Sequence, residues 1–121
     1  MSVKSYHELL VWQKSMDLVE MTYQLVKLLP KEELYALSDQ MRRAVVSIPS
    51  NIAEGQQRNS TKEFVQFLSI ARGSNAELQT QFMICVRLKY LTQSQVNQVL
   101  NLSNEVGKML TKLIGNLSTV H

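Results

Sequence analysis

The sequence predicts an all-α protein, an antiparallel up-and-down four-helix bundle with long helices and a second helix that is kinked at a proline. Apolar residues recur every three or four positions along most of the 121 residues, which is the period of an amphipathic helix. This period breaks only briefly, at Pro30, after Gly55 and at Thr92, and short links make sequential helices antiparallel neighbours. With 45% hydrophobic and 19% charged residues, we expect one folded domain over residues 1–121.

The first helix is predicted from about residue 9 to residue 29. Its apolar positions keep intervals of three and four, through Leu9, Trp12, Met16, Val19, Tyr23 and Val26. Pro30 ends this helix, because the residue before a proline is pushed away from helical geometry.

The second helix is predicted over residues 32–54. It starts at Lys31 or Glu32, where acidic residues suit the positive end of the helix dipole. Gly55 is placed where a glycine often ends a helix in the left-handed conformation, and the polar segment after it predicts a loop.

Pro49 lies inside this second helix, where it removes one backbone hydrogen bond and crowds the preceding turn. Two outcomes are open. The helix is kinked and continues to Glu54, or it ends near Ser47 and a new helix begins with Pro49 in its first turn. The apolar register continues unbroken through the proline, which favours the kinked helix.

Two capping arrangements open the last two helices. Ser60 with Glu63, and Thr92 with Gln95, have the spacing of a capping box. The helices that follow them are predicted over residues 61–90 and 93–117.

Two features of these helices predict close packing. Gly73 lies in a helix interior, where we expect it to let another backbone approach. The fourth helix carries two stripes, of which one is expected to face the bundle and the other a neighbouring subunit. They run through Val99, Leu102, Val106, Met109 and Leu113, and through Val96, Leu100, Leu110 and Leu117.

A polar row lies beside the apolar stripe of the second helix. It contains serine and asparagine, which are unusual in helix interiors, so we expect specific partners. If the third helix folds back through a loop centred near Arg58, Arg43 comes close to the segment 74–77. We therefore predict a charge-assisted bond between Arg43 and Glu77. The predicted structural polar network contains Arg43, Ser47, Asn51, Glu54, Ser74 and Glu77.

Residues suited to catalysis or metal binding are sparse. His7 and His121 lie near opposite termini, and neither is at metal-ligand spacing from another strong ligand. An arginine partner explains Glu54 and Glu77 better than acid–base catalysis does. Cys85 is the only cysteine and is expected to be a buried, inert thiol. We expect no enzyme activity, no catalytic residues, no cofactor and no metal site.

The positive charge is concentrated in the second half of the chain. The net charge is +3, with six Lys/Arg against seven Asp/Glu in residues 1–54 and seven against three in residues 55–121. A cyclic oligomer would repeat this excess as a ring of charge that attracts phosphates. Arg42 is either solvated beside a paired neighbour or lines a subunit or nucleic-acid interface. The candidate phosphate contacts are Arg42, Arg58, Lys62, Arg72, Arg87, Lys89, Lys108 and Lys112.

Three segments carry a family resemblance, which is most specific in RRAVVSIPSNIAEG at residues 42–55. Together with ELLVWQKSMDL at 8–18 and EFVQFLSIARGSNAEL at 63–78, it resembles the 23S rRNA intervening-sequence proteins. The accessory variability proteins of diversity-generating retroelements are relatives of that family. The resemblance covers nearly the whole chain. It implies a bacterial up-and-down four-helix protomer, a ring that is typically a homopentamer, a nucleic-acid-related role and no catalytic residues.

Two functions follow. The first is a non-enzymatic oligomeric accessory protein that binds RNA or DNA, or a nucleic-acid-processing partner such as a reverse transcriptase, through repeated basic patches. The alternative is an oligomeric scaffold with protein partners only. Salt-dependent binding to structured RNA discriminates between them.

No apolar run approaches the ~18 residues that span a bilayer, so we expect a cytoplasmic protein without a membrane partner.

Overall fold

A computed structural model describes residues 5–119 of the chain. Within this range the secondary structure is helical, with no strand. The four α-helices are α1 (Leu10–Val26), α2 (Leu37–Gln56), α3 (Thr61–Arg87) and α4 (Gln93–Thr119), and short 3₁₀ turns lie at Tyr6–Glu8 and Lys31–Glu33. The all-α class that the apolar period predicted is confirmed. None of the helices in the described range has the length and hydropathy needed to span a bilayer.

Each helix packs against two others. α2 contacts α1 and α3, and α4 also contacts α1 and α3, whereas residues 5–119 show no such packing between α1 and α3 or between α2 and α4. The four contacts enclose a core, and each large side chain fully buried there stabilises the fold by about 1.5–3 kcal/mol. The largest of these side chains are Phe82, Leu18, Met41, Ile48, Ile52, Leu68, Leu78 and Leu110.

The helix start predicted at Lys31 or Glu32 is wrong. Lys31–Glu33 is a 3₁₀ turn, and α2 begins only at Leu37. The reason is the Glu33 carboxylate, whose Oε1 accepts from the Leu37 backbone N–H at 3.3 Å and caps the first turn of α2. Its Oε2 accepts from the Tyr90 hydroxyl at 2.8 Å, so a distant tyrosine holds the cap in place. The same hydrogen bond raises the pKa of Tyr90 above its usual value.

α2 is continuous through Pro49, so the chain does not break into two helices near Ser47. The proline ring is buried. The carbonyl that Pro49 leaves without its helical donor is that of Val45. In the next turn the Asn51 side chain donates to the Ser47 carbonyl at 2.8 Å, which adds a side-chain hydrogen bond to the backbone.

Gly55 does not end α2 in the left-handed conformation, as its position predicted. The helix continues to Gln56, and no glycine in the described range has a positive φ. Gly55 is instead buried against α3, where a Cβ would lie 2.6 Å from the Cβ of Phe67. Close approach was predicted at Gly73, but a Cβ there would have no neighbour within 4 Å among the described residues. Of these two glycines, it is therefore Gly55 that admits a second helix.

α3 ends at Arg87, three residues before the predicted boundary. Lys89 adopts a left-handed φ of 64°, and two backbone bonds close the end of the helix. Lys89 N–H donates to the Val86 carbonyl at 3.1 Å, and Tyr90 N–H donates to the Cys85 carbonyl at 2.9 Å. This is the Schellman pattern, with lysine at the position that usually holds glycine.

The predicted cap residues are present at both following helices, but the full capping box forms only at α4, because at α3 the Glu63 carboxylate accepts from Ser60 Oγ rather than from the Ser60 backbone. The Glu63 backbone N–H donates to Ser60 Oγ at 3.1 Å at the start of α3. At the start of α4, the Gln95 N–H donates to Thr92 Oγ1 at 3.1 Å and the Thr92 N–H donates to Gln95 Oε1 at 2.8 Å, which completes a capping box.

The expectation that one of the two α4 stripes faces a neighbouring subunit is wrong for the described residues, because both stripes pack on the core of the protomer. Val96 and Leu110 are fully buried within the protomer, and Leu100 and Leu117 are half-buried against the same core. α4 packs on both α1 and α3, and two packing partners require two apolar stripes. In the described range the exposed large apolar side chains lie on α1, α2, α3 and the links that follow α1 and α3, and they include Leu10, Met16, Tyr35, Val46, Ile70, Met83 and Leu88.

Candidate nucleic-acid interface

A groove runs between α3 and α4, with a volume of about 490 Å³. Three of the described residues that line it are cations, and none is acidic or aromatic. The lining residues are Arg72, Asn75, Ala76, Gln79, Asn104, Gly107, Lys108, Thr111 and Lys112. We name it the basic groove.

The cations of the basic groove come from both of its walls. Lys108 and Lys112 are four residues apart on α4, so they lie on one face of the helix, and both are exposed. Arg72 of α3 donates from Nη1 to Thr111 Oγ1 at 3.4 Å, which draws its guanidinium across the groove towards α4. Three positive groups are thereby collected along one surface.

The floor of the groove is a buried pair of polar side chains. Asn75 Nδ2 donates to the Ser103 carbonyl at 2.9 Å, and Ser103 Oγ donates to Asn75 Oδ1 at 2.7 Å. Asn75 is 3% exposed and Ser103 is fully buried. Gly107 leaves room for the amide, because a Cβ there would lie 3.1 Å from Asn75 Nδ2. These reciprocal bonds hold α3 and α4 in one register.

Sequence reasoning missed this pair, although a signal for it exists. Asn75 follows Ala71 by four residues and precedes Leu78 by three, so it lies on the core stripe of α3. A polar residue on a core stripe requires a buried partner. Which residue becomes that partner is decided by how α4 packs against α3.

Three other predicted phosphate contacts lie outside the groove and are exposed. Lys62 is in the first turn of α3, Arg87 is in its last turn, and Lys89 follows the helix. A ten-residue separation along a helix is about 15 Å, so Lys62 and Arg87 are distant from Arg72 along the axis.

The remaining two candidates are engaged within the protein. Arg42 is half-buried and donates from Nη2 to the Leu34 carbonyl at 3.2 Å. Arg58 Nη2 lies 2.6 Å from Glu54 Oε2, and its guanidinium lies 4.8 Å from the centre of the Phe67 ring. Of the eight cations proposed from the sequence, the structure brings together Arg72, Lys108 and Lys112.

The predicted polar network between α2 and α3 forms in part. The hydroxyl oxygens of Ser47 and Ser74 are 2.9 Å apart, and Asn51 Nδ2 donates to Ser47 Oγ at 2.8 Å.

The predicted bond between Arg43 and Glu77 is wrong. Arg43 is 82% exposed and lies 3.2 Å from Asp39 of its own helix. A partner one turn away on the same face is available without crossing to α3. Glu77 is exposed, and Glu54 pairs with Arg58 rather than with the network.

Cys85 and His7, which were considered for catalysis or metal binding, make contacts typical of structural residues. Cys85 is a free thiol in the core, as predicted, and burial raises its pKa to about 11. His7 Nδ1 lies 2.7 Å from Ser5 Oγ, and its ring stacks on Tyr6. His121 lies outside the described residues. In the range 5–119 no three His, Cys, Asp or Glu side chains are grouped as metal ligands.

Comparisons with known proteins find similarity both to a family model and to solved structures. The model of a protein family described as 23S rRNA-intervening sequence protein matches residues 7–112. The chain is also similar to a protein of unknown function from the S23 ribosomal protein family of Bacteroides thetaiotaomicron VPI-5482, known from a crystal structure. That protein is 29% identical with a TM-score of 0.81, and the match covers 87% of this chain and 98% of the other. A comparison with curated proteins gives no match.

Proposed function

This chain belongs to the 23S rRNA-intervening sequence protein family, and we propose that it is a non-enzymatic, oligomeric accessory protein that binds nucleic acid through phosphate contacts. One observation carries the proposal. Arg72, Lys108 and Lys112 come from two helices and line one groove, and none of its described lining residues is acidic. Such a groove concentrates three positive groups in one place, whereas the whole chain carries a net charge of +3.

The chemistry of the groove favours the nucleic-acid backbone over the bases. Lysine and arginine neutralise phosphates and release counterions, which supplies affinity with little sequence readout. Recognition of unstacked bases uses aromatic platforms, and none of the described lining residues is aromatic.

Assembly is part of the proposal, and its interface is the α1–α2 apolar face. This face is formed by Tyr6, Trp12, Met16, Val19, Val46, Pro49, Ser50 and Ala53. Met16 and Val46 are each 40% exposed, so a lone protomer leaves apolar area in water. We propose a homo-oligomer, with the ring of five taken from the family resemblance, in which each protomer contributes one basic groove.

The proposed protomer has its helices antiparallel and up-and-down, with a kink in α2 at Pro49. Two pairs of contacts support the antiparallel course of α2 and α3. Met41 meets Cys85, and six residues later Ser47 meets Ser74, so residue numbers rise along one helix as they fall along the other. The hydrogen bond that Pro49 cannot donate supports the kink.

A second kind of partner fits the same proposal. An accessory protein that holds nucleic acid would act beside an enzyme that processes it, such as a reverse transcriptase. We place both in the cytoplasm of a bacterium, without a membrane partner.

Removing two of the groove cations tests the proposal. We expect Lys108→Gln with Lys112→Gln to weaken binding of a structured RNA about tenfold or more at ~0.1 M salt, and to lower the salt slope by about 1 for each lysine. Lys27→Gln with Lys31→Gln is the matched control. It removes the same charge at the same spacing from exposed positions outside the groove, and we expect the wild-type slope. Fluorescence anisotropy of the intact oligomer over a salt series measures both.

Two results contradict the proposal. Equal effects of the two double variants would show a diffuse charge effect rather than a groove. Absence of binding by the intact oligomer at low salt would favour the alternative, a scaffold with protein partners only, for which the exposed apolar side chains are the supporting observation.

A further inference from the structure

Beyond its cations, the basic groove carries a pair of amide side chains at one end. Gln79 of α3 donates from Nε2 to Asn104 Oδ1 of α4 at 3.0 Å. Gln79 is half-buried, and Asn104 is exposed at the mouth of the groove. The bond joins the two amides into one polar unit that spans both walls.

This amide pair leaves donors and an acceptor side by side. Once the bond is made, both N–H groups of Asn104, one N–H of Gln79 and the Gln79 carbonyl oxygen have no further hydrogen-bond partner within residues 5–119. A ligand group that both donates and accepts a hydrogen bond would satisfy the side-chain oxygen of Gln79 and the side-chain NH2 group of Asn104 together. A hydroxyl is such a group.

The position of the amide pair relative to the cations indicates which hydroxyl of the ligand would reach it. Asn104 lies one turn, about 6 Å, before Lys108 on α4, and Gln79 lies two turns, about 10 Å, after Arg72 on α3. A backbone whose phosphates contact the cations can present a neighbouring sugar to the amides at this separation. The sugar of RNA carries a 2′-hydroxyl there, which is both donor and acceptor, and the sugar of DNA does not.

We propose that the Gln79–Asn104 pair makes the basic groove selective for RNA over DNA, by reading the 2′-hydroxyl of an RNA duplex across its shallow minor groove. This inference rests on the proposed function, since it assigns the ligand of the same groove. The rigid floor of Asn75 and Ser103 keeps the two amides at a fixed separation, as selectivity by hydrogen bonding requires.

The test compares three duplexes of one sequence, made of RNA, of DNA and of 2′-fluoro RNA. The 2′-fluoro duplex keeps the helical form of RNA but lacks the hydroxyl. We expect the wild-type oligomer to bind the RNA about tenfold more tightly than the other two in anisotropy titrations, since 1.4 kcal/mol of hydrogen bonding is a factor of ten. In Gln79→Ala with Asn104→Ala, we expect the three affinities to converge while the salt slope stays unchanged.

Gln93→Ala with Asn97→Ala is the matched control. These residues form the same kind of amide pair, Gln93 Nε2 to Asn97 Oδ1 at 2.9 Å, on an exposed part of α4 outside the groove. We expect this variant to retain the preference for RNA. Circular dichroism confirms that both variants are folded.

The outcomes separate this inference from the proposed function. Equal wild-type affinity for RNA and DNA, equal affinity for RNA and 2′-fluoro RNA, or a preference that survives Gln79→Ala with Asn104→Ala would each overturn the inference and leave phosphate binding standing. Absence of binding to any duplex would overturn the proposed function, and the inference with it.

Discussion

At the scale of single residues, the packing of this protein is decided by where a Cβ atom fits. Gly55 lies where α2 and α3 are closest, and a Cβ there would lie 2.6 Å from the Cβ of Phe67 and 3.1 Å from Cδ1 of Phe64. The Phe67 Cβ is bonded to the backbone of α3, so the clash can be relieved only by moving one helix. Gly73 lies on α3, and a Cβ added there would have no described atom within 4 Å.

We therefore expect Gly55→Ala and Gly73→Ala to change the free energy of unfolding in opposite directions. Gly55→Ala should destabilise the protein by about 1–3 kcal/mol, because overpacking displaces α3. Gly73→Ala should stabilise it by up to about 1 kcal/mol, because alanine loses less backbone entropy in a helix. Urea denaturation followed by circular dichroism measures both. A Gly55→Ala protein as stable as the wild type would show that α2 and α3 are not in close contact.

At the scale of elements, buried polar pairs set the register between helices. Asn75 and Ser103 are bonded reciprocally between α3 and α4, and Ser47 and Ser74 join α2 to α3. Apolar stripes permit several registers one turn apart, whereas a buried amide is satisfied in one of them only. The basic groove lies directly above the Asn75–Ser103 pair, so its shape depends on this register.

We expect Ser103→Ala to destabilise the protein by about 1–3 kcal/mol, because it leaves the Asn75 carbonyl oxygen buried without a donor. Ser69→Ala is the control. Its hydroxyl donates to the Val65 carbonyl one turn earlier on the same helix, at 3.0 Å, and its loss should change stability by less than about 0.5 kcal/mol. Thermal and urea unfolding of the two variants give the comparison. Equal losses would mean that the pair does not contribute to helix register.

At the scale of the whole molecule, the α1–α2 apolar face and the basic groove lie on different pairs of helices. The α1–α2 apolar face is formed by the first two helices, and the basic groove by the last two. An oligomer built on the first face leaves the groove of every protomer open to a ligand. The two functions proposed for the chain, assembly and phosphate binding, therefore do not compete for one surface.

We expect Met16→Lys with Val46→Lys to dissociate the oligomer, because burying two ammonium groups in an apolar interface costs several kcal/mol for each. The protomer should stay folded, since both side chains are already 40% exposed. Analytical ultracentrifugation should show the native mass fall from a multiple of the protomer mass to that mass itself. Met83→Lys, which changes an exposed methionine of α3, should leave the mass unchanged. A monomeric wild type at high concentration would contradict the proposed assembly.

The sequence by itself determined the helical class, the number of helices, the capping residues of α3 and α4 and the burial of Cys85. Each of these depends on residues within a few positions of one another, so period and spacing suffice to predict them. Tertiary structure decided the late start of α2, because the Glu33 cap is held by Tyr90, 57 residues away. It also decided the close contact of Gly55 with α3 and the Asn75–Ser103 pair. Of the eight candidate cations, it brought three together in one groove. These features depend on distances between helices, which are set by how all four pack together and not by any local pattern.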